Sequence, residues 1–435
     1  MGLGKTVQVL AHIQTERAAG RCKGPCLVVA PTSTLPNWRR EAARFVPDLK
    51  VVTLHGPDRA GTYAELKEAD LAITNYAILS RDRAKLVAQG FHLVILDEAQ
   101  NIKNATTTAA KAARELIARH RLCLSGTPVE NHLDELWSLF EFLMPGFLGS
   151  AATFRKEFRT PIERHGNAVV RQRLVRRVRP FLLRRTKQQV ASELPPKTEI
   201  VETVEFGDAQ RDLYELVRVS MDKQIRAILA TQGLEKIRIH ILAALLKLRQ
   251  VCCDPRLVKL ESAQSVGESA KFERLFEMLP VLLEEGRRIL LFSQFTSMLD
   301  LIEERLRAEG MDWVRISGDT QDRDTPVQRF QSGEVPLFLI SLKAGGTGLN
   351  LVAADTVIHY DPWWNPAVER QATDRAHRIG QDKNLMVYKF VVSGSVEEKI
   401  LELQERKGAL AEAILDGSEN ALAALGAEDL AWLLG

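Results

Sequence analysis

Short apolar runs, each closed by a polar or glycine-rich turn, recur through the first third of the chain. Cys26–Ala30, Val51–His55, Leu71–Tyr76, Leu93–Leu96 and Arg121–Leu124 read as strands, with helix-period segments such as Thr6–Ala19 and Thr107–Arg119 between some of them. Strands alternating with helices predict a parallel sheet covered on both faces, because each crossover lays a helix against the sheet. The pattern returns from about Arg287, with Ile289–Phe292, Trp313–Ile316, Leu337–Ser341, Thr356–Tyr360 and Met386–Val392 as strands. Between residues 145 and 267 the chain turns helical and charged, with amphipathic stretches at Arg211–Thr231 and Lys236–Arg249. Pro195–Pro196 breaks this region where a helix cannot continue. The expected architecture is α/β: a first parallel-sheet lobe over 1–144, a helical insertion and linker over 145–267, and a second parallel-sheet lobe over 268–410. A C-terminal helix and tail follow over 411–435, with Val396–Leu415 reading as one long helix.

Composition narrows the class without naming an activity. The 435 residues are 45% apolar and 26% charged, as in folded globular chains, and suffice for about three domains. No uncharged apolar run approaches the roughly 18 residues of a membrane span, and Met1 opens no signal-peptide pattern, so neither membrane insertion nor secretion is expected. Net charge is only +3, yet twelve basic residues against two acidic ones fall between Arg155 and Lys187, a local field suited to a polyanion or to an acidic protein surface. The five cysteines lack C-x-x-C spacing and read as reduced thiols rather than zinc ligands.

Three segments of the first lobe carry candidate chemistry. Met1-Gly2-Leu3-Gly4-Lys5-Thr6 ahead of a helix-period segment is the second half of a phosphate-binding loop. Helix N-terminal amides, with Gly2 and Gly4 in the turn, would cradle phosphate, Lys5 would neutralise it, and the Thr6 hydroxyl would hold Mg2+. A complete loop needs a small residue five places before Gly4 and a strand leading into it, so weakened nucleotide affinity is expected unless the gene starts upstream. The apolar strand ending in Asp97-Glu98 delivers two adjacent carboxylates, as metal-assisted hydrolysis requires: Asp97 for the metal, Glu98 to deprotonate the attacking water. Ser125-Gly126-Thr127 follows another strand, and such small hydroxyl residues can hydrogen-bond carboxylates at a neighbouring strand end. Taken singly, each segment is also compatible with an ordinary turn.

In the second lobe, Gln371–Arg378 lies on a helix-period segment that sets Arg375 and Arg378 three apart on one face, a spacing suited to transition-state phosphoryl charge or to a solvated helix. The order of motifs then resembles the Swi/Snf-type ATPases, a branch of the superfamily-two helicase-like motors. The resemblance rests on M-G-L-G-K-T at Met1–Thr6, V-V-A-P-T-S-T-L-P-N-W at Val28–Trp38, D-E-A-Q at Asp97–Gln100 and L-S-G-T-P-V-E-N at Leu124–Asn131. It continues through P-F-L-L-R-R-T-K at Pro180–Lys187, L-F-S-Q-F at Leu291–Phe295, S-L-K-A-G-G-T-G-L-N-L at Ser341–Leu351, D-P-W-W-N-P at Asp361–Pro366 and D-R-A-H-R-I-G-Q at Asp374–Gln381.

This resemblance implies two RecA-like lobes of the P-loop NTPase class that hydrolyse ATP with Mg2+ in an interlobe cleft and track along double-stranded DNA without separating it. By the same resemblance Lys5 and Thr6 bind phosphate and metal, Asp97 and Glu98 bind metal and activate water, Arg375 and Arg378 act as arginine fingers, and Gln371 senses nucleotide. The DNA-tracking positions would be Pro31-Thr32, Asn75-Tyr76, Ser125-Gly126-Thr127, Ser293-Gln294 and the run Lys343, Gly345, Gly346, Thr347. Such a motor grips sugar-phosphate rather than bases, and the basic run would add salt-dependent affinity. Trp363-Trp364 suits either the flank of a DNA path or packing. The implied partners are duplex DNA and a DNA-bound protein, such as a nucleosome, an RNA polymerase or a repair complex. The expected location is cytoplasmic, nucleoid-associated in a prokaryote or nuclear in a eukaryote. The competing readings are a DNA-binding scaffold without turnover and a strand-separating helicase.

Overall fold

The computed structural model describes residues 3–56, 59–126, 133–183, 185, 187–190, 193–231, 234–264, 266–267, 269–345, 349–402 and 404–405, with backbone only at 188, 222–231, 234–239, 264, 343 and 345. The chain divides into two compact units that part between Thr186 and Lys187.

In the first unit, helix α1 (Lys5–Ala18) precedes β1 (Cys26–Ala30), α2 (Leu35–Phe45), β2 (Val51–Leu54), β3 (Leu71–Asn75), β4 (Phe91–Asp97), α3 (Thr108–Glu115), β5 (Ala118–Leu124), α4 (Leu133–Leu143) and α5 (Ala168–Val178). The five strands are parallel in the order β2-β3-β1-β4-β5. Successive side chains of a strand point to opposite faces. Cys26, Val28 and Ala30 of β1 meet α1 and α2 through Leu10, Ile13 and Trp38, while Leu27 and Val29 meet α3 and α4 through Ala110, Ala113 and Phe142. Both faces are thus covered, and the central strands are buried along their length, β1 wholly apolar and β4 through Leu93–Leu96. The edge strand β5 carries Arg119, His120 and Arg121, and α3 stops at Glu115 rather than at Arg119 because Ala118 already pairs with Phe91.

In the second unit, β6 (Lys197–Val204), α6 (Asp208–Thr231), α7 (Leu234–Cys253) and α8 (Ala270–Glu284) precede β7 (Ile289–Ser293). Helix α9 (Thr296–Ala308), β8 (Trp313–Ile316), β9 (Leu337–Ser341), β10 (Thr356–His359), α10 (Pro366–Thr373) and β11 (Leu385–Val392) complete it. The six strands are parallel, ordered β6-β11-β10-β7-β9-β8, with α8 and α9 packed on one face. One expectation changes here. The stretch read as helical over 145–267 contains β6, which pairs along its whole length with β11 and belongs to the second sheet. Buried in this unit, Lys271 Nζ pairs with Glu397 at 2.6 Å and donates to the Tyr360 carbonyl. Helical turns follow β11 over 396–402, and the rest of the C-terminal helix and tail lies outside the described residues.

Candidate functional site

Because the strands are parallel, their carboxyl ends share one edge in each unit, which is where open α/β sheets bind ligands. In the first unit that edge carries Pro31-Thr32 after β1, Asn75-Tyr76 after β3, Asp97-Glu98 at β4 and Ser125-Gly126 after β5, with Ala30 opposite Asn75 and Asp97 opposite Leu124.

Asp97 is buried and closely held. Its Oδ2 accepts from Trp38 Nε1 at 2.9 Å, its Oδ1 from the Glu98 amide at 3.0 Å, and its carbonyl from Tyr76 Oη at 2.7 Å. Burial, reinforced by the Glu98 charge, pushes its pKa above the ordinary carboxylate value, while the Trp38 N–H and the Lys5 ammonium pull it back. Glu98 has φ 48°, the one positive φ on a non-glycine residue among those described. A left-handed conformation costs roughly 1–2 kcal/mol for an L-residue, and it turns Glu98 out of the strand line. Gln100 Nε2 donates to Glu98 Oε2 at 2.8 Å, and Ser125 Oγ donates to Gln100 Oε1 at 3.1 Å. The β5 turn was expected to reach a neighbouring carboxylate; the relay through Gln100 accomplishes this with one residue between.

Helix α1 opens at Lys5 from Gly4, whose φ of 72° favours glycine, and no side chain caps its amides. The Lys5 Nζ is buried with no hydrogen-bond partner among the described residues, while Thr6 is half-buried. A covered ammonium without an acceptor, beside an uncapped helix N-terminus and two buried carboxylates, fits a ligand that brings anionic oxygens and a divalent cation. Gly2 and Thr127 lie outside the described residues.

The remaining tracking candidates of this unit turn their polar groups inward. Asn75 Nδ2 donates to Thr32 Oγ1 at 3.0 Å, and its Oδ1 caps the next helix through the Ile78 amide. Five of the twelve basic residues are likewise engaged within the first unit. Arg155 and Arg159 pair with Asp134, Arg171 is buried, and Arg173 and Arg177 lie over the Phe158 and Phe147 rings. Lys187 pairs with Asp374 in the second unit, while Lys156, Arg164, Arg176 and Arg179 stay exposed. The field expected from twelve charges is therefore smaller than their number.

In the second unit, Gln371 is buried on α10, but the helix ends at Thr373, so Arg375 and Arg378 stand in the turns after it rather than on its face. The cause is a strap. Lys187 Nζ donates to the Asp374 carboxylate and to the His377 carbonyl, His377 Nε2 lies 3.0 Å from the Pro195 carbonyl, and the Arg375 carbonyl accepts from the Leu351 amide. Arg375 is buried and Arg378 half-buried. Ser293-Gln294 follows β7, with Ser293 Oγ donating to Asp361 Oδ1 at 2.6 Å. Lys343 and Gly345 lie on a helical turn after β9; Gly346 and Thr347 lie outside the described residues. Trp38, Gln100, Asp361 and Arg249 were not singled out by sequence reading. Trp38, Gln100 and Asp361 sit inside the family motifs, whereas nothing local marks Arg249.

Residues 1–257 match the SNF2-related domain, and residues 270–380 match the helicase conserved C-terminal domain. The chain belongs to the SNF2-related family. It is 41% identical over 441 residues to YwqA of Bacillus subtilis, whose name places it with ATP-dependent helicases or translocases, covering 99% of this chain and 47% of that protein. It is 34% identical over 440 residues to the ISWI chromatin-remodeling complex ATPase ISW1 of Saccharomyces cerevisiae, covering 97% of this chain and 39% of that protein. The chain thus spans less than half the length of either relative. Among solved structures, the Sulfolobus solfataricus SWI2/SNF2 ATPase core in complex with dsDNA is 36% identical, with 96% of this chain and 88% of that chain covered and a TM-score of 0.46. No helix among the described residues is long and apolar enough to cross a membrane.

Proposed function

We propose that this SNF2-related chain is the motor part of an ATP-driven translocase that moves along double-stranded DNA without separating the strands and displaces DNA-bound protein. The observation that carries the reading is the Asp97–Glu98 pair at the carboxyl end of β4, with the unpartnered Lys5 ammonium acting on it. Lys5 and the first amides of α1 hold the β- and γ-phosphates of ATP. Thr6 and Asp97 are the residues to hold Mg2+, which when bound neutralises phosphate charge. Glu98, turned out by its left-handed backbone and hydrogen-bonded by Gln100, orients the attacking water and takes its proton. Arg375 and Arg378 stabilise the charge that spreads over the transferred phosphoryl group, and the strand-end turns grip sugar-phosphate.

The experiment is a pair of displacement assays driven by ATP. A translocase strips a third strand from a triplex and leaves a fluorescently labelled duplex intact. Melting of the duplex identifies a strand-separating helicase, and salt-sensitive duplex binding without phosphate release identifies a scaffold.

A further inference from the structure

The hydrogen-bond pattern around Arg249 lies in the second unit, apart from the Asp97–Glu98 carboxylates of the first. Arg249, on α7, is 1% exposed and yet charged. Its Nη1 donates to Gln294 Oε1 at 2.9 Å, and its Nη2 donates to the Pro362 carbonyl at 2.6 Å and lies 3.4 Å from Asp361 Oδ2. The guanidinium sits 4.8 Å from the Trp364 ring, 5.4 Å from Trp363 and 5.8 Å from Phe295. Asp361 closes the other side of the same turn, accepting from Ser293 Oγ and from the Gln294 amide. Two loops at the carboxyl ends of adjacent strands, β7 and β10, are therefore riveted by one side chain from a helix outside the sheet.

The rivet dictates which way Gln294 faces. A guanidinium only donates, so the atom of Gln294 turned to Arg249 has to be the carbonyl oxygen, and the amide nitrogen has to point away. That nitrogen is buried and meets no acceptor among the described residues. A covered donor pair without an acceptor carries a free-energy cost, so a fold that fixes this orientation leaves a donor in waiting. A leucine there would leave no idle donor, but it would strip the buried Arg249 Nη1 of its acceptor.

We propose that Arg249 is a positioning residue for duplex DNA: it holds Gln294 so that the amide N–H2 is ready for a phosphate oxygen, which reaches it once the covering side chains shift. The inference rests on the translocase reading and adds to it a residue that touches no DNA. Aromatic faces on three sides hold the guanidinium in one plane, which a flexible ammonium does not reproduce. Trp363 and Trp364, open between a DNA flank and packing on sequence alone, are assigned to that packing.

The test is a double-mutant cycle in duplex affinity, read by fluorescence anisotropy of a labelled duplex at fixed salt, with thermal unfolding measured alongside. Gln294→Leu removes the donor at a half-buried position and is expected to weaken the dissociation constant about tenfold, the usual effect of losing a hydrogen bond to a charged group. Arg249→Lys is expected to weaken binding by a similar factor in the parent chain and to change it by less than about twofold in the Gln294→Leu background, because its effect passes through Gln294. Factors that multiply in the double variant overturn the proposal. So does parent-like binding by Gln294→Leu, and that arm decides the matter even if Arg249→Lys fails to fold. Absence of duplex binding by the unaltered chain overturns the translocase reading itself, a result distinguishable from either.

Discussion

Trp38→Phe removes one N–H from the carboxylate site and keeps an aromatic ring in the core. Trp38 is 1% exposed and its Nε1 lies 2.9 Å from Asp97 Oδ2, so water does not replace the lost donor. A hydrogen bond to a charged group contributes roughly 1.5–3 kcal/mol, which corresponds to about ten- to a hundredfold in an equilibrium constant, the range also typical for outer partners of metal ligands. Burial and the Glu98 charge already hold Asp97 above the ordinary carboxylate value, and the Trp38 N–H is the leading influence that opposes them. Its loss raises the pKa further. Since Asp97 has to be ionised to hold a cation, the acid limb of the hydrolysis rate moves to higher pH and half-saturation in Mg2+ rises on the order of tenfold or more. The sign for stability follows from the same shift. A carboxylate whose pKa is raised by folding costs nothing while protonated and costs more as pH rises through its folded value. The variant's stability deficit is therefore largest near neutrality and shrinks toward about pH 4. Initial rates of phosphate release across pH and Mg2+, with urea unfolding at matched pH, measure all three. An unmoved acid limb, unchanged Mg2+ half-saturation and a pH-independent stability deficit would refute the reasoning and reduce Trp38 to packing.

Three further outcomes follow from the second unit. Burial holds the imidazole of His359, against Thr373, down at about 3 rather than 6.5, so the unfolded chain takes up a proton that the folded one refuses. Its contribution is present above pH 6.5 and lost as pH falls toward 3, and urea unfolding is expected to lose about 2 kcal/mol between pH 7.5 and pH 5 from this residue, a slope absent in His359→Gln. Lys187→Met frees the turn that carries Arg375; kcat is expected to fall about tenfold while duplex affinity keeps its salt dependence, whereas a phosphate-contacting lysine would take about 0.9 from the logarithmic salt slope. Lys271→Met leaves Glu397 buried without its ammonium and is expected to cost about 3–5 kcal/mol in denaturant unfolding, much of it restored by adding Glu397→Gln.

The fold was legible wherever its signal was local. Buried strands such as β1, β4, β7 and β9 are built on continuous apolar runs that stop where a ligand-side turn begins, and their ends agree with the structure to within about two residues. Strand β6 escaped because an edge strand needs one buried face at most: its half-buried alternate positions are Ile200, Glu202 and Val204, so a glutamate interrupts the period-two trace, and Val201 between them is exposed. The arginine-bearing segment misled for a different reason. Its composition suits a helix, and the turn at Asp374 is imposed by Lys187 and Pro195, far away in the sequence. The carboxylates were readable from the strand that presents them, but their tuning was not, because Trp38 and Tyr76 reach Asp97 across 59 and 21 positions. Part of the basic run turned out to serve its own fold for the same reason: charge density is visible in a sequence, while the acidic and aromatic partners that absorb it are not.

The central claim is that Glu98 activates water for a hydrolysis that duplex DNA accelerates. It is tested most directly by steady-state phosphate release from ATP, with and without duplex DNA, in the protein and in its Glu98→Gln variant. The account expects duplex-stimulated release in the parent and a loss of about a hundredfold or more in the variant, with ATP binding retained. Release that is indifferent to duplex, or that survives Glu98→Gln, contradicts it.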